Sequence, residues 1–203
     1  MSDPSKRRSR IGLITLAVLF LGPMFAAFFA YQSGWQPGGQ TAHGQLLSPA
    51  RPLPELALSS LGEAALPDAL LRREWTMLYI GDADCAESCQ QTLYTMRQVW
   101  KSLGRRSKRV KGLYLLADQS DTTALQAFML AEHKGMTLAR SQQADQAEWL
   151  DFFSLDNSIQ PLQADNIYII DPLGNWVLVY RPEDPPKGLL SDLKKLLRLS
   201  QIG

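Results

Sequence analysis

The chain has 203 residues, 45% hydrophobic and 20% charged, an ordinary globular composition that excludes collagen-like, low-complexity and wholly disordered chains. Its 21 Lys and Arg against 20 Asp and Glu leave a net charge of +1, without the basic excess of a broad nucleic-acid surface, so no nucleic-acid partner is expected. Two cysteines are too few for a disulfide-dense scaffold or a four-cysteine zinc site, and any cysteine chemistry must come from one pair.

From Ile11 to Tyr31 the chain passes 21 residues without a charge. At about 1.5 Å per residue a helix of that length spans roughly 30 Å, the thickness of a bilayer core. Gly22 and Pro23 would weaken a soluble helix but are tolerated in a membrane-spanning one. Lys6, Arg7, Arg8 and Arg10 precede the run against Asp3 alone, and the next basic residue is Arg51. This asymmetry puts a stub, residues 1–10, in the cytoplasm (or a mitochondrial matrix) and everything after the transmembrane helix, residues 11–31, across the membrane. A cleaved signal peptide is the rival reading. The run is long for one, and no clean small-x-small site closes it, so an uncleaved anchor is expected. Under either reading the remainder is exported, and its cysteine pair can form a disulfide.

Residues 32–203 carry 17 basic and 19 acidic residues. Gly34, Pro37, Gly38, Gly39, Gly44 and Pro49 mark residues 32–50 as a linker, leaving residues 51–203 for one folded domain large enough to bury a core. Trp75–Gly81 is a short apolar run ending in glycine and reads as a buried strand. Asp82–Ser88 is a polar loop. Cys89, Leu93, Met96, Trp100 and Leu103 then fall at helical spacing, and Gly104 stops that helix. Val110–Ala117 is a second strand. Asp121 or Thr122 caps a helix running to about His133, with Leu125, Phe128 and Met129 on its apolar face. Ala144–Phe153 reads as a further helix. Asn166–Asp171 and Asn175–Tyr180 are strands joined through Pro172, Leu173 and Gly174 as a hairpin. Pro185 and Pro186 open a last helix whose Leu189, Leu190, Leu193, Leu196 and Leu197 share a face. This order implies an α/β domain: a mixed sheet with a parallel crossover first, an antiparallel edge last and helices on both faces. It fits a thioredoxin-like fold, whose redox site follows the first central strand.

Cys85 and Cys89 stand at that point, in Cys85-Ala86-Glu87-Ser88-Cys89. A spacing of four puts both on one side of a first helical turn, at a Cα separation of about 6 Å that suits a disulfide. Two thiolates so placed could also hold a soft ion such as Cu(I). The pair is therefore both the candidate catalytic site and the candidate metal site. A plain stabilising disulfide is the bland alternative. A helix N-terminus favours thiolates, whereas Asp82, Asp84 and Glu87 oppose them, and no cation stands in the loop. A CxxCH haem motif is absent. His43 in the linker and His133 at a helix end read as solvated side chains, and Met77 and Met96 as packing residues. Arg105, Arg106, Lys108, Arg109 and Lys111 read as a solvated loop, with an acidic-partner or headgroup surface as the sharper alternative.

Over most of residues 50–200 the chain resembles the SCO/SenC family. The resemblance rests on LYIGDADCAESC, on Leu93 and Met96 in the next helix, on ADQSDT at 117–122 and on YIIDPLG at 168–174. It implies a membrane-anchored thioredoxin-like protein that assists assembly of the copper centre of cytochrome c oxidase. The family's CxxxCP cysteines fall on Cys85 and Cys89, with Gln90 in place of the proline. Its third copper ligand, a histidine, falls approximately on Gln163, and residues 134–203 contain no histidine, so the usual three-ligand site is absent.

The leading expectation is an accessory factor in the bacterial inner membrane, its domain in the periplasm. It would exchange electrons through Cys85 and Cys89 with the oxidase copper subunit or another assembly factor, as a thiol-disulfide oxidoreductase. The alternatives are a Cu(I) metallochaperone with a dithiolate site and a non-catalytic interaction module stapled by its disulfide.

Overall fold

A computed structural model describes residues 4–33, 42–55, 57–61, 66, 68–141, 146–155 and 160–200. The chain divides into two units, residues 1–40 and residues 41–203.

The described part of the first unit is a helix, α1 (Pro4–Gln32), and the turn that follows it. Its segment Ile11–Gln32 has a mean hydropathy of 2.3 and is long and apolar enough to cross a membrane. The helix runs through Pro23 and takes in the basic residues that precede the apolar run. The intervening residues 34–41, the middle of the expected linker, lie outside the described residues.

The described residues of the second unit form seven strands and four α-helices: β1 (Gln45–Pro52), β2 (Leu58–Ser60), β3 (Trp75–Gly81), α2 (Glu87–Ser102), β4 (Val110–Leu116), α3 (Thr123–Glu132), β5 (Met136–Ser141), α4 (Gln146–Phe152), β6 (Ile167–Ile170), β7 (Asn175–Tyr180) and α5 (Pro186–Leu199). All form one sheet in the order β1-β7-β6-β3-β4-β5-β2. β3, β4 and β5 run parallel, and the other neighbours pair antiparallel. The expected mixed sheet is present, with the parallel crossover at its centre.

The central strands are buried on both faces, which is why they read as unbroken apolar runs rather than as alternating ones. On one face Met77, Tyr79, Tyr114 and Ile169 pack with Leu93 and Met96 of α2, Leu125 of α3 and Leu193 of α5. On the other, Leu78, Ile80, Leu115 and Tyr168 pack with Trp149 and Phe153 and with the segment around Leu53 and Leu71. Trp149, Phe153, Tyr168 and Trp176 are each almost wholly inaccessible, and the last three stack on one another at 4.9–5.4 Å between ring centroids.

Local chemistry sets the boundaries. Asp121 Oδ1 accepts the Thr123 backbone N–H and hydroxyl, so Asp121 caps α3 while Thr122 occupies the cap position. The β6–β7 turn is closed by Asp171, whose Oδ1 accepts the N–H groups of Leu173 and Asn175, and Gly174 supplies the positive φ of +87°.

Two expectations need correction. Strand β1 lies largely inside residues 32–50, so the sheet begins within the segment whose glycines and prolines suggested linker. His133 is not solvated: it closes α3 with 5% of its surface exposed. Strand β5, absent from the expected order, completes the parallel half of the sheet.

Candidate functional site

The site forms where β3 runs out. Gly81, its last residue, has no room for a side chain: a Cβ there would lie 2.6 Å from both the Tyr114 hydroxyl and the Tyr79 ring. The chain then turns through Asp82–Ala86 and enters α2, bringing Cys85 and Cys89 together as a disulfide with Cα atoms 5.2 Å apart. Cys85 holds a φ of +36°, an unusual conformation for a residue with a Cβ, which turns its side chain back toward the helix start. Cys89 sits in the first turn of α2. Only 3% of Cys85 and 4% of Cys89 is exposed, so the bond is roofed by protein although it lies at a loop.

Four contacts hold the pair and its loop. Gln90 Nε2 donates to the Cys85 carbonyl at 3.1 Å, while the Gln90 backbone N–H donates to Ala86. A proline could make neither bond, so the residue that departs from the CxxxCP pattern has taken over a structural task. On the sheet side, the Tyr114 hydroxyl donates to the Asp82 carbonyl at 2.6 Å and lies 3.6 Å from Cys89 Sγ. Tyr79, in register with Tyr114 on the neighbouring strand, packs edge-on against it at 5.1 Å and donates to Asp165 Oδ1 at 2.6 Å. Asp165, at a φ of +48°, also receives the Thr92 hydroxyl on its carbonyl, which ties the 161–166 segment to α2.

The electrostatics are acidic. The Asp84 carboxyl beside it, then partial burial and the charge of Asp118, push Asp82 up to about 6. Burial first, then the charges of Asp82 and Asp118, raises the Tyr114 hydroxyl well above the ordinary phenol range, so it remains a proton donor at any physiological pH. No side chain of α2 caps its N-terminus, since Ala86 carries no polar group, and the free N–H groups there oppose the carboxylates in their effect on a thiolate.

Sequence reasoning found Cys85, Cys89, Asp82 and Asp84. It missed Tyr79, Tyr114, Asp118 and Asp165. Gln163, the position matching a third ligand, is exposed in the turn after Pro161, and it is Asp165 that reaches toward the site. Among the described residues no three His, Cys, Asp or Glu side chains are grouped to hold a metal. Elsewhere, buried Asp192 accepts the His43 backbone N–H and the Tyr180 hydroxyl and pairs with the His43 ring at 3.0 Å, fastening the start of the folded unit to α5. The basic stretch is partly engaged: Arg109 donates to the carbonyls of Leu197 and Ser200, and Lys111 pairs with Glu74 at 3.7 Å.

Residues 75–200 match the family described as transmembrane-like, thioredoxin-like, C-terminal domain. The chain belongs to this family. That span opens at β3, closes at the end of α5 and contains the whole disulfide site. No curated protein sequence matches the chain. Among solved structures, apo Sco1 from Thermus thermophilus superposes with a TM-score of 0.62 at 17% identity, covering 78% of this chain and 99% of that one. Bradyrhizobium japonicum ScoI with copper bound gives 0.57 at 17% identity, covering 72% and 99%. BsSco, described through a disulfide switch and as a member of the Sco family of cytochrome c oxidase assembly proteins, gives 0.57 at 15% identity, covering 75% and 97%. At these identities the likeness carries the fold of this thioredoxin-like family member and leaves its chemistry to its own residues.

Proposed function

We propose that the chain is a membrane-anchored accessory factor for assembly of the cytochrome c oxidase copper centre, acting by thiol-disulfide exchange at Cys85 and Cys89. Helix 11–31 would hold it in a bacterial inner membrane, with the folded unit, residues 41–203, in the periplasm. One observation carries the reading: the disulfide bridges the loop after the central strand and the first turn of α2, the redox position of a thioredoxin-like fold. The partner class is suggested by BsSco, whose description links a disulfide switch with oxidase assembly.

In the exchange, a partner thiolate attacks one sulfur of the pair and forms a mixed disulfide, and the other sulfur leaves as a thiolate and takes up a proton. A second partner thiolate then attacks the partner's sulfur in that mixed disulfide, and the protein's bonded cysteine leaves as a thiolate and takes up a proton. The partner ends with a disulfide and the protein with two thiols, two electrons having moved. Run in reverse, the reduced pair reduces a partner disulfide.

A second reading, a Cu(I) metallochaperone, is favoured by the copper described in ScoI. The two sulfurs suit a soft cation once reduced, but the approximate third-ligand position holds the exposed, weakly donating Gln163. The donor set fits two-coordinate binding and falls short of a three-ligand site.

Cells carrying Cys85→Ser or Cys89→Ser are expected to lose assembled oxidase, read from the haem spectrum and oxidase activity of their membranes. Normal assembly in both variants would overturn the redox role. The reduction potential gives the chemical check. A redox-active pair is expected between about −270 and −120 mV, whereas a structural staple lies below about −300 mV.

A further inference from the structure

Charge is distributed unevenly over the folded unit. From Ser88 to Ala117 the chain carries seven Lys and Arg and no Asp or Glu. Among the described residues, Arg97 pairs with Glu132 at 2.9 Å and Lys111 with Glu74 at 3.7 Å. Arg109 is engaged with carbonyls at the end of α5. Lys101, Arg105, Arg106 and Lys108 are exposed. Lys101 stands one turn beyond Arg97 on the same face of α2, and Lys134, also exposed, lies just past the end of α3.

A cavity of about 40 Å³ lies among these elements, lined by Arg97, Trp100 and Lys134 together with Met77, Met96 and Met136. It is remote from the disulfide, since Arg97 follows Cys89 by eight residues of helix, roughly 12 Å along the axis. The Trp100 indole N–H already donates to the Val110 carbonyl at 2.8 Å, so Trp100 offers only its ring.

Arg97 supplies a second, independent observation. Its Nη1 donates to the Glu132 carbonyl and carboxylate. Its Nε is shut off from solvent and has no hydrogen-bond partner, a state that buried polar atoms rarely keep without a reason. Nε and Nη2 form an edge of the guanidinium that can take an oxyanion through two parallel hydrogen bonds. The size of the cavity chooses among oxyanions. One water needs about 10–15 Å³, so about 40 Å³ takes roughly three non-hydrogen atoms, the number in a carboxylate and fewer than in a phosphate.

We propose that Arg97 and Lys134 bind a carboxylate presented by an acidic segment of a partner protein, which docks along the exposed cations that follow Arg97. Glu132 offsets one positive charge, and Lys134 and Lys101 keep the site positive. The methionines and the Trp100 ring limit water around the carboxylate, which strengthens its bonds to the guanidinium. The contact lies outside the cysteine pair and forms in either redox state.

The test uses the full chain in detergent at about 0.1 M salt, which screens exposed charges more than about 10 Å apart. The probe is a fluorescent hexaglutamate peptide, with hexaglutamine as the uncharged control. Hexaglutamate alone should bind saturably and shift the Arg97 Nε–H signal in spectra of the arginine-labelled chain. Arg97→Gln should weaken binding about tenfold, the loss of a hydrogen bond to a charged group. Arg97→Lys keeps the charge and loses the planar fork, so it should weaken binding nearly as much. Lys134→Gln, at an exposed site where folding is not at risk, should cost about threefold. Lys187→Gln, an exposed cation at the start of α5, should stay within about twofold of the parent. Inorganic phosphate should leave the Arg97 signal in place, and so should exchanging phosphatidylcholine nanodiscs for phosphatidylglycerol ones. The proposal is overturned if hexaglutamate does not bind, if any of the Arg97 and Lys134 variants binds it as tightly as the parent, or if the signal answers to phosphate or anionic lipid and not to the peptide. The cysteines are intact throughout, so none of these outcomes bears on thiol-disulfide exchange.

Discussion

Removing the Tyr114 hydroxyl should make the disulfide harder to reduce. In the oxidised protein that hydroxyl spends its proton on the Asp82 carbonyl and meets Cys89 Sγ at 3.6 Å, where a disulfide sulfur is only a weak acceptor. On reduction, Cys89 becomes a thiol that donates to the phenol oxygen or a thiolate that accepts from it. Either bond exists only in the reduced state. A neutral hydrogen bond contributes about 1 kcal/mol and one to a charged group about 1.5–3 kcal/mol. The 3.6 Å sulfur contact belongs at the low end, about 1–1.5 kcal/mol. For a two-electron couple, where 30 mV is about 1.4 kcal/mol, Tyr114→Phe therefore lowers the potential by roughly 20–30 mV. The oxidised form also loses the bond to Asp82, about 1 kcal/mol, or about 2–4 °C in Tm for a domain of this size. The potential is measured by equilibrating the soluble domain in graded thiol buffers and trapping free thiols; Tm is measured on the oxidised form. An unchanged or raised potential, alongside the expected fall in Tm, would show that the hydroxyl serves the loop alone and would refute the link to Cys89.

Asp84→Asn removes the largest cause of the raised Asp82 pKa, so Asp82 should titrate below about 6, closer to ordinary carboxylates. Its side-chain carboxyl signal in an NMR titration reports this directly, and an unmoved midpoint would assign the shift to burial and Asp118 instead. For Asp192, burial alone would raise the carboxyl, but hydrogen bonds from Tyr180 and His43 outweigh it and hold the group below its ordinary value. Its native pKa therefore lies below its unfolded one. It contributes stability that is present above about pH 4 and is lost as pH falls further through the native pKa. Asp192→Asn should flatten the acid side of the stability curve between about pH 2 and 5 and cost about 1.5–3 kcal/mol at pH 7, measured by chemical denaturation. A variant curve parallel to the parent's would remove Asp192 from the acid response.

The parts legible in the sequence are those whose signal is local. β3, β4, α2 and α5 follow from apolar runs and helical spacing, and the cysteine pair follows from its place between a strand and a helix. β1 was hidden by Pro49 and Pro52, tolerable on an edge strand that pairs only with β7. β5 was hidden because its face is only partly buried and its sequence, MTLARS, has no long apolar run. The support of the site was illegible for a different reason. Tyr79 and Tyr114 meet only because β3 and β4 pair in one register, and Asp165 reaches Tyr79 across 86 positions of sequence. No local pattern encodes such a meeting. The two tyrosines, at matching positions of the parallel neighbours β3 and β4, are the one clue the sequence carries.

The roof over the disulfide has a kinetic consequence. Exchange requires an incoming sulfur to line up with the S–S axis, and here 3% and 4% exposure leaves almost no approach. Small thiols dissolved in the surrounding fluid meet the same closed surface that water meets, whatever the bond's thermodynamic willingness to react. A docking protein that shifts residues 82–86 gains at once the access for which a freely diffusing reductant must wait. Selectivity for the right partner would then reside in the rate of opening, leaving the potential free to be set by the chemistry of the pair.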